Sequence, residues 1–416
     1  MIHNCKGLLS SAVEQLIRNE QVAGSNPVGG SILICMKNLA IGGVLLLFFF
    51  IGSCGQQTSD PYPLAESLYT PLYAQGFQLK KEGDLRILYV KKSWLEDDQN
   101  TFAYTLYPRS DALLHKGKEG HIPYPITRAV CLSTTHVAYL EKILQREVIK
   151  GVSGAQYLSN PLVKKEVMLG AIMDVGYEGA LNYEALLSLH PDVVFAYGIA
   201  GTSSAYLKPL AQMGVPVVFM GDYLESHPLG KAEYMVAFSA FFDSDVMEMA
   251  VGSFTEICEA YHHLLALLHS SSPRVKVLLN APFKDVWYIP GGDNYMAMLL
   301  ADAGGVALGS RAGVKESRGI SLEQVYQYAL EADYWLHPNA FRNLNTLAES
   351  DARFAQIPAF KAGCVYNNTL RSTPGGGSDF WESGVTEPHI ILSDLIKILH
   401  PELLPEYQLV YYERLE

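Results

Sequence analysis

The sequence predicts an α/β protein of two Rossmann-like lobes joined by one long α-helix, with a strand-rich extension on the N-terminal side. Three observations carry this prediction. From Arg128 to Met220, and again from Val275 to Leu399, short apolar runs of strand length alternate with helix-like stretches. Such alternation is the mark of a parallel sheet, whose strands need long crossovers. Between these regions, Pro228 to Ser270 is a continuous stretch of good helix formers, interrupted only by Gly230 and Gly252. Before them, Ser67 to Tyr124 has a strand-like texture.

Composition narrows the function classes. The chain has 416 residues, of which 49% are hydrophobic and 18% charged, and a formal net charge of -12. A diffuse acidic excess speaks against nucleic-acid binding, which needs clustered Lys and Arg to displace counterions from phosphate. Apolar residues are too plentiful for disorder. The strongly apolar stretch Leu39–Ile51 is too short for an ordinary spanning helix.

The first elements are targeting signals. Met36-Lys37-Asn38, the apolar run and Ile51-Gly52-Ser53-Cys54 have the order of a secretory signal: a cationic start, an apolar core and small residues at a cleavage point. The Gly-Ser-Cys ending resembles a bacterial lipobox, which implies lipid on Cys54 and membrane attachment of a chain starting there. Polar Gly55–Asp60 would serve as the tether. Residues 1–35 play no part in such a signal, and Ser10 to Gly30 resembles a translated transfer-RNA gene. Cys131, Cys258 and Cys364 are far apart, so neither a disulfide framework nor a zinc site is suggested.

In the extension, Phe77–Lys80 and Leu85–Val90 flank Glu82-Gly83-Asp84, a hairpin signal, and Thr101–Tyr107 alternates. In the first lobe, Ala129–Ser133 reads as a buried strand and Thr134-Thr135-His136 as a helix start. Strands follow at Val148–Val152, Pro191–Tyr197 and Val215–Met220, with helices at Tyr183–Leu189 and Ala205–Gln212. In the long helix, Met235, Phe238, Phe241, Phe242, Met249, Phe254, Ile257 and Tyr261 keep helical spacing up to the break Ser270-Ser271-Ser272-Pro273. A shared helix resists bending, so lobe motion should be small. The second lobe holds strands at Val275–Leu279 and Tyr334–Leu336, and helices at Tyr295–Ala303, Leu322–Ala329 and Pro388–Leu399. The expected boundaries are 1–35 (upstream stretch), 36–53 (signal), 54–125 (tether and extension), 126–226 (first lobe), 227–270 (linking helix) and 271–416 (second lobe).

A phrase recurs, once per lobe: Leu181-Asn182-Tyr183-Glu184 running to Pro191-Asp192-Val193-Val194, and Ile320-Ser321-Leu322-Glu323 running to Ala332-Asp333-Tyr334-Trp335. Locally this is a capped helix start, with Asn or Ser accepting a backbone N–H and Glu favoured by the helix dipole. Together with the lipobox, the two lobes and the linking helix, the phrase resembles the substrate-binding proteins of ABC importers for metal chelates, the family that binds vitamin B12, ferric siderophores and haem. The resemblance covers Arg128 to about His400. It implies that Glu184 and Glu323 mark the lobe tips that dock on the permease, and that the protein is a lipid-anchored monomer on the periplasmic side of a bacterial membrane. The implied partners are the permease with its ATPase and a transported metal chelate, with no cofactor and no catalysis. Ala332-Asp333 departs from the Pro-Asp usual in the second phrase.

Ligand contacts are expected on loops at the carboxyl ends of strands. Thr135, His136, Tyr157, Tyr197 and Tyr223 qualify in the first lobe, and Trp287, Tyr288, Tyr295, His337 and Trp381 in the second. Aromatic rings suit a flat macrocycle, and Arg318 and Arg371 suit an anionic chelate. Two alternatives stay open. A receptor for bare zinc or manganese would need three or four converging ligands, and His262, His263 and His269 lack partners at ligand spacing. A secreted two-lobed enzyme would need a nucleophile or acid–base pair, and no GxSxG or HExxH occurs. Gly375-Gly376-Gly377 lacks the lysine of a phosphate loop and reads as a loop flanking Trp381-Glu382.

Overall fold

The computed structural model describes residues 64–91, 101–115, 117–177, 180–198, 209–210, 212–268, 274–283, 286–339 and 341–416. Cys54, its signal and tether, His269, and most of the Ala205–Gln212 helix lie outside the described residues. No described helix is long and apolar enough to cross a membrane.

The extension is a five-stranded sheet: β1 (Glu66–Tyr69), β2 (Phe77–Glu82), β3 (Leu85–Lys91), β4 (Thr101–Pro108) and β5 (His121–Tyr124), in that spatial order. Glu82 pairs with Leu85, leaving Gly83-Asp84 as a two-residue turn. Gly83 takes φ +59°, which a tight hairpin demands and glycine permits. Alternate residues Phe77 and Leu79 point into the core.

Two carboxylates fasten this sheet to the rest of the molecule. Glu233, fully buried, accepts from Tyr69 Oη (2.7 Å) and from the N–H groups of Leu72 (2.7 Å), Tyr73 (2.8 Å) and Ala74 (2.7 Å). Glu225 accepts from Gln75 N at 2.8 Å and Gly76 N at 2.7 Å. The segment between β1 and β2 cannot pair its amides in a ladder, so these side chains satisfy them instead. Further along, Phe102 stacks on Phe219 at 4.9 Å, and Tyr104 Oη accepts from Phe219 N at 3.0 Å.

The first lobe contains β6 (Ala129–Cys131), β7 (Ile149–Val152), β8 (Met173–Asp174), β9 (Val193–Ala196) and β10 (Val217–Phe219). All pair in parallel, in the order β10-β9-β6-β7-β8. The chain builds outward from β6 on one side and then on the other. A crevice therefore opens between the carboxyl ends of β6 and β9. The second lobe repeats the plan with β11 (Val275–Leu279), β13 (Gly305–Ala307), β15 (Tyr334–Leu336), β16 (Val365–Asn367) and antiparallel β17 (Glu413–Arg414), ordered β13-β11-β15-β16-β17. Its crevice lies between β11 and β15. A separate antiparallel pair joins β12 (Trp287–Ile289) to β14 (Arg318–Ile320).

The connection between lobes is helical, as expected, but consists of two helices. A fully buried α1 (Pro228–Ser239) is followed by α2 (Ser244–Leu267) after a break at 240–243. Arg86 of the extension explains the break: its guanidinium donates to the carbonyls of Ala240 (2.9 Å) and Phe242. A cation at a helix C-terminus satisfies orphan carbonyls and suits the dipole. The C-terminal helix α3 (Pro388–Leu399) packs along α2. Its buried Asp394 accepts from the amides of Val410, Tyr411 and Tyr412 and from Tyr407 Oη, tying down the chain end.

Candidate functional site

The loops at the carboxyl ends of both sheets converge on the linking helices. In the first lobe, Ser133 Oγ caps the helix Thr134–Lys142 by accepting from Thr135 N (3.3 Å). This leaves Thr135 half-buried at the mouth of the crevice. Asp174 accepts from Gly154 N (3.2 Å) and Ala155 N (3.0 Å), bracing the loop that carries Tyr157. Tyr197 and Tyr223 meet edge to face at 6.3 Å, and Tyr223 Oη donates to the carbonyl of Gly198.

The second crevice is lined by unusual backbone. Asn280, His337 and Asn339 have φ of 69°, 58° and 52°, a left-handed conformation uncommon outside glycine and best tolerated by asparagine. Asn280 Nδ2 donates to Tyr288 O (2.9 Å), while Trp335 Nε1 donates to Asn280 O (2.7 Å). Asn367 Nδ2 donates to Asn339 O (2.7 Å). These bonds over-determine the loop.

At the floor, Lys231 of α1 places its ammonium 4.4 Å from the centroid of the Tyr295 ring. The Tyr295 ring lies 6.2 Å from that of Trp381. Lys231 is 7% exposed; burial lowers its pKa, opposed by the charges of Asp222 and Glu225. Burial also raises the Asp222 carboxyl to about 6. Lys231 is absent from the contacts expected from sequence, because it lies on the linking helix rather than on a loop at a strand's carboxyl end. One signal was present: an unopposed lysine in the first turn of a helix, where the dipole disfavours a cation.

A strap joins the lobes beside this floor. The Glu382 carboxylate, 2% exposed, accepts from Ser159 N (2.6 Å) and Asn160 N (2.7 Å) of the first lobe. Gly375 and Gly377 lie so close to the carbonyls of Gln156 and Tyr157 that a Cβ would stand 2.3 and 2.2 Å from those oxygens. The glycine run, expected as a loop flanking Trp381-Glu382, is therefore a close-packing surface.

Several expected contacts occupy other places. Trp287 is fully buried, donates Nε1 to Leu279 O (2.8 Å) and packs on Trp335 and Phe354; it belongs to the core because its strand faces inward there. His136 is also fully buried, against Phe195 and Phe238, and burial depresses its pKa to about 3. His337 bonds Tyr412 Oη at 2.6 Å and is likewise held near 3 by burial, so it supports the loop rather than facing the cleft. Tyr157 is buried and packs on Tyr177 at 5.2 Å. Tyr288 is half-buried. Arg318 is half-buried too, with Nη2 3.5 Å from Gly309 O. Arg371 pairs with Asp379 (2.7 Å) and lies over Tyr411.

The two recurrent phrases adopt matching geometry. Asn182 Oδ1 accepts from Ala185 N (3.0 Å), opening the helix Tyr183–Ser188. Ser321 and Gln324 form a reciprocal capping box on the helix Leu322–Ala329. Glu184 and Glu323 are both exposed in these first turns. Glu323 has Arg353 Nη1 at 3.8 Å, and its carboxyl is held below the usual range by its own backbone N–H and by Ser321.

Among the described residues, no group of three or more His, Cys, Asp or Glu is placed to hold a metal ion. A cavity of about 400 Å³ lined by Pro125, Thr127, Glu147, Phe242 and Asp245 opens at the amino ends of β6 and β7. That is the wrong end of a parallel sheet for a ligand.

No family model matches the chain. It is 25% identical over 293 residues to an uncharacterized lipoprotein of Methanocaldococcus jannaschii, covering 68% of this chain and 67% of that protein. A molybdate periplasmic binding protein of a Haemophilus influenzae ABC transporter, solved with molybdate bound, superposes with a TM-score of 0.52 at 20% identity, covering 69% of this chain and 90% of that one. A periplasmic haem-binding protein from Pseudomonas aeruginosa gives 0.51 at 18% identity, covering 66% and 93%. Strand order, linking helices and superposition agree: the chain has the two-lobed α/β fold of the periplasmic binding proteins.

Proposed function

We propose that this chain is a lipid-anchored substrate-binding protein of an ABC importer, a monomer of the cell envelope that captures a metal chelate between its lobes and delivers it to a permease with its ATPase. The observation that carries this reading is the convergence of two doubly-wound crevices on one helical connection, at the carboxyl ends of both sheets. Ligands of such sheets bind there. The haem and molybdate bound by proteins of this fold support a metal-containing solute. The lipoprotein name of the relative supports lipidation at Cys54. Thr135, Tyr197, Tyr223, Tyr288, Tyr295, Arg318, Arg371 and Trp381 are the proposed contacts. A bare zinc or manganese ion gains no support from the described residues.

Glu184 and Glu323 are the proposed docking marks. Each is exposed at a helix start, where a rigid cap fixes its position, and two anionic tips meeting cationic partners set orientation and association rate. Reversing both charges (Glu184→Arg with Glu323→Arg) is expected to abolish uptake in cells while leaving ligand affinity unchanged in titrations. Loss of affinity would instead assign these residues to the cleft. Titration with cobalamin, haem and ferric siderophores, followed through Trp381 fluorescence, tests the solute class. Tight zinc or manganese binding with no chelate bound would overturn the reading.

A further inference from the structure

We infer that the cleft selects an anionic ligand, received at its floor by the Lys231 ammonium and the Trp381 indole N–H. The inference rests on the reading of the cleft as a solute site and concerns the charge of what it takes. Lys231 is placed where a cation is costly for three separate reasons. It is more than nine-tenths buried, and a buried charge needs compensation. It stands in the first turn of the 12-residue helix α1, whose dipole already makes that end positive. Among the described residues its ammonium has no hydrogen-bond acceptor, only the Tyr295 ring face.

The surroundings add donors. Tyr295 is itself the first residue of the helix Tyr295–Asp302, so a second positive helix end meets the same point. Trp381 Nε1 is buried without a partner, and its ring adjoins Tyr295. The nearby carboxylates do not close the site. Glu225 is engaged by the amides of Gln75 and Gly76. Asp222, 1% exposed, acts on Lys231 only through its field and so favours the charged ammonium without occupying it. Two free donors, one of them charged, beside two helix N-termini call for ligand oxygens bearing negative charge. A catecholate, carboxylate or oxyanion group supplies them; an uncharged macrocycle does not.

The test is calorimetric titration of the full chain with three probes: a trianionic ferric tris-catecholate complex, molybdate, and uncharged cyanocobalamin. At least one anion is expected to bind more tightly than cyanocobalamin. Lys231→Met should weaken that binding about 30-fold, and Trp381→Phe, which keeps a ring but removes the N–H, about 5-fold. Lys231→Arg should restore most of the affinity, and an unchanged thermal midpoint would show that the fold survives. Preference for cyanocobalamin, or anion affinity indifferent to Lys231→Met, overturns the inference while leaving the solute-binding reading intact. Failure of every probe to bind overturns both.

Discussion

Replacing Glu233 with alanine is expected to lower the unfolding free energy by about 4 kcal/mol, because one buried carboxylate satisfies four donors that have no alternative. Its acceptors reach Tyr69 Oη and three consecutive amides, Leu72 to Ala74. These donors lie at the junction of β1 and β2, where the chain runs between strands and no ladder is available. In the alanine variant they must go unpaired or draw the segment out to water. Hydrogen exchange should therefore rise first in residues 69–76, ahead of the lobe strands. Glu233→Gln retains one acceptor oxygen and should lose roughly half as much. Urea unfolding followed by tryptophan fluorescence measures both variants. A loss under about 1 kcal/mol for Glu233→Ala would mean that the segment is held by its apolar contacts alone.

Carboxylates used in this way explain where sequence reading stops. The strands were legible as apolar runs and the recurrent capped helices as local phrases, since both signals sit within a few residues. Glu233, Glu225 and Glu382 bind backbone amides about 150 to 220 positions away, and a backbone amide has no residue-type signature. Arg86 ends α1 across a comparable distance, so the linking segment read as one helix. Trp287 and His337 stood at strand ends and looked like cleft contacts. The burial of Trp287 depends on which face its strand turns inward. That of His337 depends on a left-handed backbone at His337 and Asn339, where Asn367 holds the Asn339 carbonyl, and on the remote Tyr412 hydroxyl. Lys231 escaped for the opposite reason. Its position on a helix was readable, but that its ammonium meets the Tyr295 ring and, among the described residues, no hydrogen-bond acceptor is a property of the folded floor alone.

Stability of the wild-type protein relative to Glu382→Gln is expected to fall as pH rises from about 4.5 to about 7. Burial is the leading cause that raises the Glu382 carboxyl to about 7, against the pull of the Ser159 and Asn160 amides and with Asp379 adding repulsion. The folded state thus binds a proton that the unfolded chain, with an ordinary glutamate, has already released. Stability tied to that proton is complete below the ordinary pKa and is lost as pH passes through the raised one. From the ordinary 4.5 to about 7, at 1.36 kcal/mol per unit, the full effect is roughly 3 kcal/mol. Asp222, also raised by burial, slopes the same way. His136 and His337, both lowered, oppose it, so the difference between wild type and Glu382→Gln is the quantity to measure. Glutamine matches the protonated acid in charge but keeps one acceptor oxygen for the two amides, so the variant carries a constant offset. The quantity that reports the proton is the shift of the difference in the variant's favour between pH 4.5 and pH 8. A difference profile that is flat across this range, or one that rises with pH, would show that the two amide hydrogen bonds outweigh burial and that the strap is held by a fully charged carboxylate.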